Sequence, residues 1–169
     1  MREIKNKDGF TQLHFYCRMG LVKSVVRMSS MRSIDVEARD KRGWSCLMRC
    51  VQDGNTFICK LLLQNGALVD SINNDGLVPL NYATVSGNLI IFTLLCDFGA
   101  NISAQNRKVG WTPLYRAIWY EHVQIVKELV QRGVDVNTRD SRGETALTVA
   151  VGLERSEIVK LLLDNKGIA

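Results

Sequence analysis

Two histidines and five cysteines are the residues of this chain most able to ligate a metal, attack a carbonyl or carry a proton. Neither His14 nor His122 has a nucleophile or a carboxylate at motif spacing, so neither is poised as a general base. Cys46 and Cys50 lie four residues apart, which puts two thiols on one face of a helix, but no second pair and no histidine stands near enough to complete a zinc site. Cys17, Cys59 and Cys96 complete an odd set without a C-x-x-C, and this usage fits small buried hydrophobes in a reducing compartment. Neither G-x-x-x-x-G-K-[ST] nor G-x-G-x-x-G occurs, so no phosphate loop is expected. The expectation is a chain with no catalytic residue, no metal, no cofactor and no small-molecule substrate.

The elements that would position any functional side chain are legible between Gly110 and Asn137. Thr112 suits a helix N-cap and Pro113 the first helical position, where a missing N–H costs nothing. Leu114, Ala117 and Ile118 then share one helical face. After His122, Ile125 to Val130 reads as a second helix that stops at Gly133, before the polar turn Asp135-Val136-Asn137. A unit of helix, turn, helix and hairpin is too small to bury its own apolar face.

The unit recurs. Gly9, Gly43, Gly76, Gly110 and Gly143 open equivalent segments, separated by 34, 33, 34 and 33 residues on subtraction, and Leu13, Leu47, Leu80, Leu114 and Leu147 hold one position in all of them. The period and the Thr112-Pro113-Leu114-Tyr115-Arg116-Ala117 segment, set beside Thr11-Gln12-Leu13-His14, resemble the ankyrin repeat. The resemblance covers residues 8–169 and implies an all-α solenoid of about five helix-turn-helix units with short β-hairpin fingers, divided at about 8–40, 41–74, 75–108, 109–141 and 142–169. In that family, histidines placed like His14 and His122 hydrogen-bond backbone, and positions like those of Cys17 and Cys50 take small packing residues. Three irregularities stand out. Tyr16 replaces the small residue seen at Cys50, Ala83, Ala117 and Ala150, which an end unit can tolerate. One extra residue lies between Leu21 and Ser33, beside a weak second helix, and another in Asn106–Val109 is expected to lengthen a finger. At the other end, Glu157, Lys160 and Asp164 are expected to screen the outer face of the last unit, the alternative being apolar surface left for a partner.

Recognition in ankyrin-type folds uses the fingers and the first helices, which line a concave face. The free positions there hold Trp44 and Trp111 after the finger glycine, and Trp119 and Tyr120 at the end of a first helix. Phe15, Arg49, Tyr82, Arg116 and Val149 form a stripe at one equivalent position. Trp, Tyr and Arg are the types enriched at binding hot spots, so Trp44, Arg49, Tyr82, Trp111, Arg116, Trp119 and Tyr120 are the candidate partner-binding set. The competing reading is that Trp44 and Trp111 only pack against a neighbouring finger. Trp119 and Tyr120, being adjacent on a helix, cannot both be core. A second candidate feature is a basic row on the fingers, Arg39, Lys41 and Arg42, then Arg107 and Lys108, then Arg139 and Arg142, in a chain of formal charge +5. Such a row would steer an acidic protein surface, or simply solvate the tips; no nucleic-acid motif accompanies it.

The apolar content of 46% and charged content of 23% are ordinary for a folded domain. No apolar run is long enough to span a bilayer, and Met1 to Lys7 lacks the apolar core of a signal peptide. A cytoplasmic or nuclear protein-binding module is therefore expected. The resemblance extends to the small ankyrin regulators of cell-cycle kinases, and implies a regulatory subunit or inhibitor of a protein kinase. The first helix of the second unit is full length between Trp44 and Gly54, however, where the cyclin-dependent-kinase inhibitors have a shortened one. The alternatives are a constitutive inhibitor of an NF-kappa-B-type transcription factor, without the D-S-G-x-x-S degron or acidic tail of regulated members, and a peptide-binding adaptor.

Overall fold

The computed structural model describes residues 5–29, 35–105 and 110–165, and in them the chain forms ten helices in five consecutive pairs. The first members are α1 (Gln12–Arg18), α3 (Cys46–Gln52), α5 (Pro79–Val85), α7 (Pro113–Trp119) and α9 (Ala146–Gly152). Their partners are α2 (Val22–Ser29), α4 (Thr56–Gln64), α6 (Leu89–Asp97), α8 (Val123–Gln131) and α10 (Ser156–Asp164). Each first helix packs on the next first helix, and each second helix on the next second helix, so the pairs stack into an all-α repeat solenoid.

Local chemistry explains where the helices begin. The side chains of Thr11, Ser45, Thr112 and Thr145 each accept the backbone N–H of the residue three positions on, satisfying a donor that the helix itself leaves unpaired. Val78 has no acceptor to offer. There Pro79 removes one N–H from the first turn, and Asn81 reaches back to accept the Val78 N–H at 3.0 Å. Helices of seven to nine residues are too short to persist alone, so packing must hold them.

The repeated leucine is the centre of that packing. Leu13, Leu47, Leu80 and Leu114 are completely enclosed, whereas Leu147, in the last described pair, is only half-buried. Each enclosed leucine contributes about 1.5–3 kcal/mol relative to an exposed one, which no single pair could collect without its neighbours. Tyr16 is half-buried, with its hydroxyl accepting from Gln12 Nε2 at 2.6 Å, so the larger residue is accommodated in the first unit.

The fingers are short: among the described residues, their strand-type pairing is confined to the isolated antiparallel bridges Arg39–Ser45 and Arg139–Thr145. One expectation needs correction: the screen on the outer face of the last pair is incomplete, since Val151 and Leu163 stay exposed beside Glu157, Lys160 and Asp164. The expected longer finger at 106–109, and residues 30–34 of the first irregular stretch, lie outside the described residues.

Within each pair the chain turns through one left-handed residue. Gly20, Gly54 and Gly87 supply it in the first three pairs, while Glu121 and Glu154 do so at φ 58° and 57° in the last two. A left-handed non-glycine residue costs about 1–2 kcal/mol. At Glu121 an offset is visible, because its carboxylate pairs with Arg155 of the next unit at 2.6 Å. Gly87 has no such freedom: a Cβ there would lie 2.6 Å from Cε1 of His122. Gly133, at φ 78°, has open space around it. Gly133→Ala is therefore expected to cost about 1–2 kcal/mol in urea unfolding, and Gly87→Ala at least about 1 kcal/mol more, from overpacking. Equal losses would show that the His122 contact yields without cost.

Candidate functional site

The face presented by the first helices carries two aromatic groups. The first is a ladder across the first three units. The Arg49 guanidinium lies 4.2 Å from the centre of the Trp44 ring and 5.2 Å from that of Phe10, and Tyr82 packs on Trp44 with ring centres 4.5 Å apart. Arg49 also pairs with Asp40 at 2.6 Å. Trp44 is 7% exposed, its N–H donating to Asp40 Oδ1 and its carbonyl accepting from His14 Nε2. Its expected role in binding is corrected by this burial, since the ring offers a partner almost no surface. Tyr82 is half-buried, its hydroxyl accepting from Asn73 Nδ2 at 2.8 Å, and burial pushes its pKa up to about 12. Val149, at the far end of the expected stripe, is buried.

The second group lies on the fourth unit. Trp111 is half-buried and packs on Trp119, with ring centres 5.2 Å apart. Trp119 and Tyr120 are 44% and 46% exposed, so both adjacent residues, not one of them, present surface. Tyr120 stacks on His122, whose Nε2 donates to the Val85 carbonyl at 3.1 Å, so the exposed tyrosine rests on a side chain tied to the preceding unit. Beside Trp119 a cleft of about 180 Å³ opens towards Val149, Leu153 and the Arg142–Glu144 pair. Arg116, on the same helix, is half-buried, and among the described residues it has neither a hydrogen bond nor an ion pair.

Neither histidine is arranged for proton transfer to a ligand. His14 Nδ1 accepts from the Thr11 N–H, which leaves Nε2 to donate to Trp44, and burial lowers its pKa so that the ring stays neutral. The five cysteines are buried and form no disulfide. Burial raises Cys59 to about 12 and Cys96 to about 11, so both remain protonated.

Three of the five described members of the basic row are tied down. Arg39 donates to the Gly43 and Ile72 carbonyls and pairs with Glu37, Arg139 donates to the Gly43-equivalent carbonyl of Gly143, and Arg142 pairs with Asp140 and Glu144. Lys41 and Arg42 are exposed, and Arg107 and Lys108 lie outside the described residues. Sequence reasoning missed Asp40, Asn73 and Phe10. The signal for the first two was available, because an acid or amide stands three residues before Gly43, Gly76 and Gly143.

Comparison with known sequences comes down on the same architecture. A family profile described as ankyrin repeats (3 copies) matches residues 13–106 and 98–169. Over 161 residues, 94% of this chain and 69% of the relative, the chain is 29% identical to the probable 26S proteasome regulatory subunit p28 of Saccharomyces cerevisiae. It is 36% identical over 96 residues to the rat ankyrin repeat and SAM domain-containing protein 6, covering 56% of this chain but 11% of that protein. With the mouse nuclear factor NF-kappa-B p105 subunit it shares 31% identity over 134 residues, 76% of this chain and 14% of the relative. The chain thus spans about a tenth of the length of the two larger relatives.

The Asp40–Arg49 pair makes stability depend on pH. Burial raises the Asp40 carboxyl, but the Arg49 guanidinium and the Trp44 and Arg42 N–H groups outweigh it and hold the group below its ordinary value. A lowered folded-state value stabilises above the unfolded carboxylate pKa of about 4, and that contribution is lost as pH falls through the folded value. Asp40→Asn should keep the backbone contacts, as Asn73 does natively, and lose the ion pair. Urea midpoints at neutral pH should show a loss of about 2 kcal/mol, with the gap from wild type closing as the buffer is taken below the carboxylate range. A gap independent of pH would mean that the ion pair contributes nothing.

Proposed function

The chain belongs to the ankyrin-repeat family, and from that premise we propose that it is a non-catalytic regulatory subunit that holds a protein partner against the first-helix face of its fourth unit. Ankyrin repeats bind proteins, and the observation that carries the location is the joint exposure of Trp119 and Tyr120 beside Trp111 and Arg116. Aromatic residues half open to water, backed by a rigid stack and next to a cleft, are the residue types and setting of a binding hot spot. The partner class we favour is a protein kinase complex, with control by occupation of a surface and a place in cell-cycle regulation. It rests on the resemblance to small ankyrin kinase regulators. The extended likeness to a relative described as a proteasome regulatory subunit supports the regulatory-subunit mode without specifying the partner.

A second reading, inhibition of an NF-kappa-B-type transcription factor, is favoured by the match to the p105 subunit over 76% of the chain. Five buried cysteines outside any disulfide fit a reducing compartment, and the cytoplasm or nucleus is the proposed location. No described helix is long and apolar enough to cross a membrane.

The test is co-purification of the tagged chain from its own cells beside a Trp119→Ala/Tyr120→Ala variant, followed by calorimetry with the purified partner. Each single substitution should weaken binding by about 2 kcal/mol, roughly thirtyfold. A stoichiometric kinase lost in the double variant supports the first reading, and a Rel-type factor the second. Wild-type affinity in both folded single variants rejects the site.

A further inference from the structure

Arg49, Tyr82 and Arg116 occupy one equivalent position on α3, α5 and α7, and the first two each bond the residue nine places earlier in their own finger. For Arg49 that residue is Asp40, paired at 2.6 Å, and for Tyr82 it is Asn73, bonded at 2.8 Å. For Arg116 the corresponding stretch of sequence, Asn106-Arg107-Lys108-Val109, carries one extra residue, contains no carboxylate and lies outside the described residues.

Arg116 is also unlike the other arginines that bury an Nε without a hydrogen bond. Arg49 and Arg155 leave that nitrogen unpaired too, yet their terminal nitrogens meet Asp40 and Glu121, each at 2.6 Å. Arg116 meets no carboxylate among the described residues, and burial lowers the pKa of its guanidinium, with Tyr120 and Tyr82 as its nearest titratable neighbours. A half-buried cation without an anion among the described residues is preorganised for one, because part of its desolvation has already occurred on folding. No described residue supplies an acceptor, and a formal charge of +5 favours an acidic one from a partner.

We propose that Arg116 is the anchor for a carboxylate of the protein partner, an Asp or Glu side chain in a segment whose neighbouring apolar residue packs on Trp119 and Tyr120. This rests on the interaction site proposed above and specifies the chemistry of what it takes. Arg116 fixes register through a charge-assisted, bidentate contact, and the aromatic pair supplies the buried area.

The experiment uses the full chain and a phage-displayed library of random dodecapeptides. Peptides selected on the wild type should share an acidic position. In a synthetic copy, changing that acid to its amide should weaken binding at least about tenfold on the wild type and less than about twofold on Arg116→Gln, the coupling expected of a direct pair. Arg116→Lys should recover part of the affinity, and the thermal midpoint of Arg116→Gln should be no lower than that of the wild type. The proposal is overturned if no peptide is enriched, if no acidic position recurs, or if the amide costs the same on both proteins. It also falls if a labelled single-stranded oligonucleotide binds more tightly than the acidic peptide in an Arg116-dependent way. Binding that is lost in Trp119→Ala yet uncoupled from Arg116 would leave the interaction site standing and remove only the carboxylate. Binding indifferent to both residues would remove both.

Discussion

An acceptor three residues before the finger glycine sets the start of three units. Asp40 Oδ1 takes the N–H groups of Arg42 and Trp44, Asn73 Oδ1 those of Asp75 and Leu77, and Asp140 Oδ1 those of Arg142 and Glu144. Each is a side chain closing a turn that the backbone alone leaves open, and each fixes the direction from which the next first helix begins. The consequence is periodic: the residue after the glycine, the capping Thr or Ser, and the face of the first helix all follow in register. The other half of that acceptor is left over. In Asp40 it holds Arg49, and in Asn73 the amide holds Tyr82, so one structural device also decides which functional side chains are spent internally.

Contacts between units rest on the residue after the left-handed turn. His122 reaches back to the Val85 carbonyl, Asn55 to that of Cys17, and Arg155 to the Glu121 carboxylate. Convex ties add to these, with Arg132 bridging Asp97 and Glu128. These exposed or half-exposed pairs contribute little individually, and cohesion comes from the enclosed leucines and from Phe92, Ile91 and Leu95 of the third unit. Polar links specify the stacking angle and apolar burial supplies the free energy.

The fold was legible because its signals are local and repeated. Glycine spacing, a capping hydroxyl and a leucine at fixed offsets required ten helices in pairs, and all of these act within a few residues of themselves. The site was legible only in part. Trp119 and Tyr120 could be picked out by adjacency on a helix, a purely local argument. The fate of Trp44 and Arg49 depends on Asp40, Phe10 and Tyr82, drawn from three units, and residue type alone does not say whether an aromatic after the glycine lies under a neighbour or above it. The basic fingers misled for the same reason, since Arg39 and Arg139 look free in the sequence but satisfy the carbonyls of Gly43 and Gly143.

The two aromatic groups differ in a way that bears on function. Where the finger residue is an acid, Arg49 is neutralised, Trp44 is covered and the ladder closes on itself. In the fourth unit Arg116 has no counterion among the described residues, and the tryptophan after the glycine is only half covered, its ring supporting Trp119 instead of disappearing beneath a neighbour. The same repeat thus builds core in the second unit and exposed surface in the fourth. Ankyrin repeats keep their register through the positions that face the neighbouring unit, so the positions that do not can change without disturbing the stack. In this chain that freedom is concentrated around Arg116, where the stacking contacts are complete and the polar ones are not.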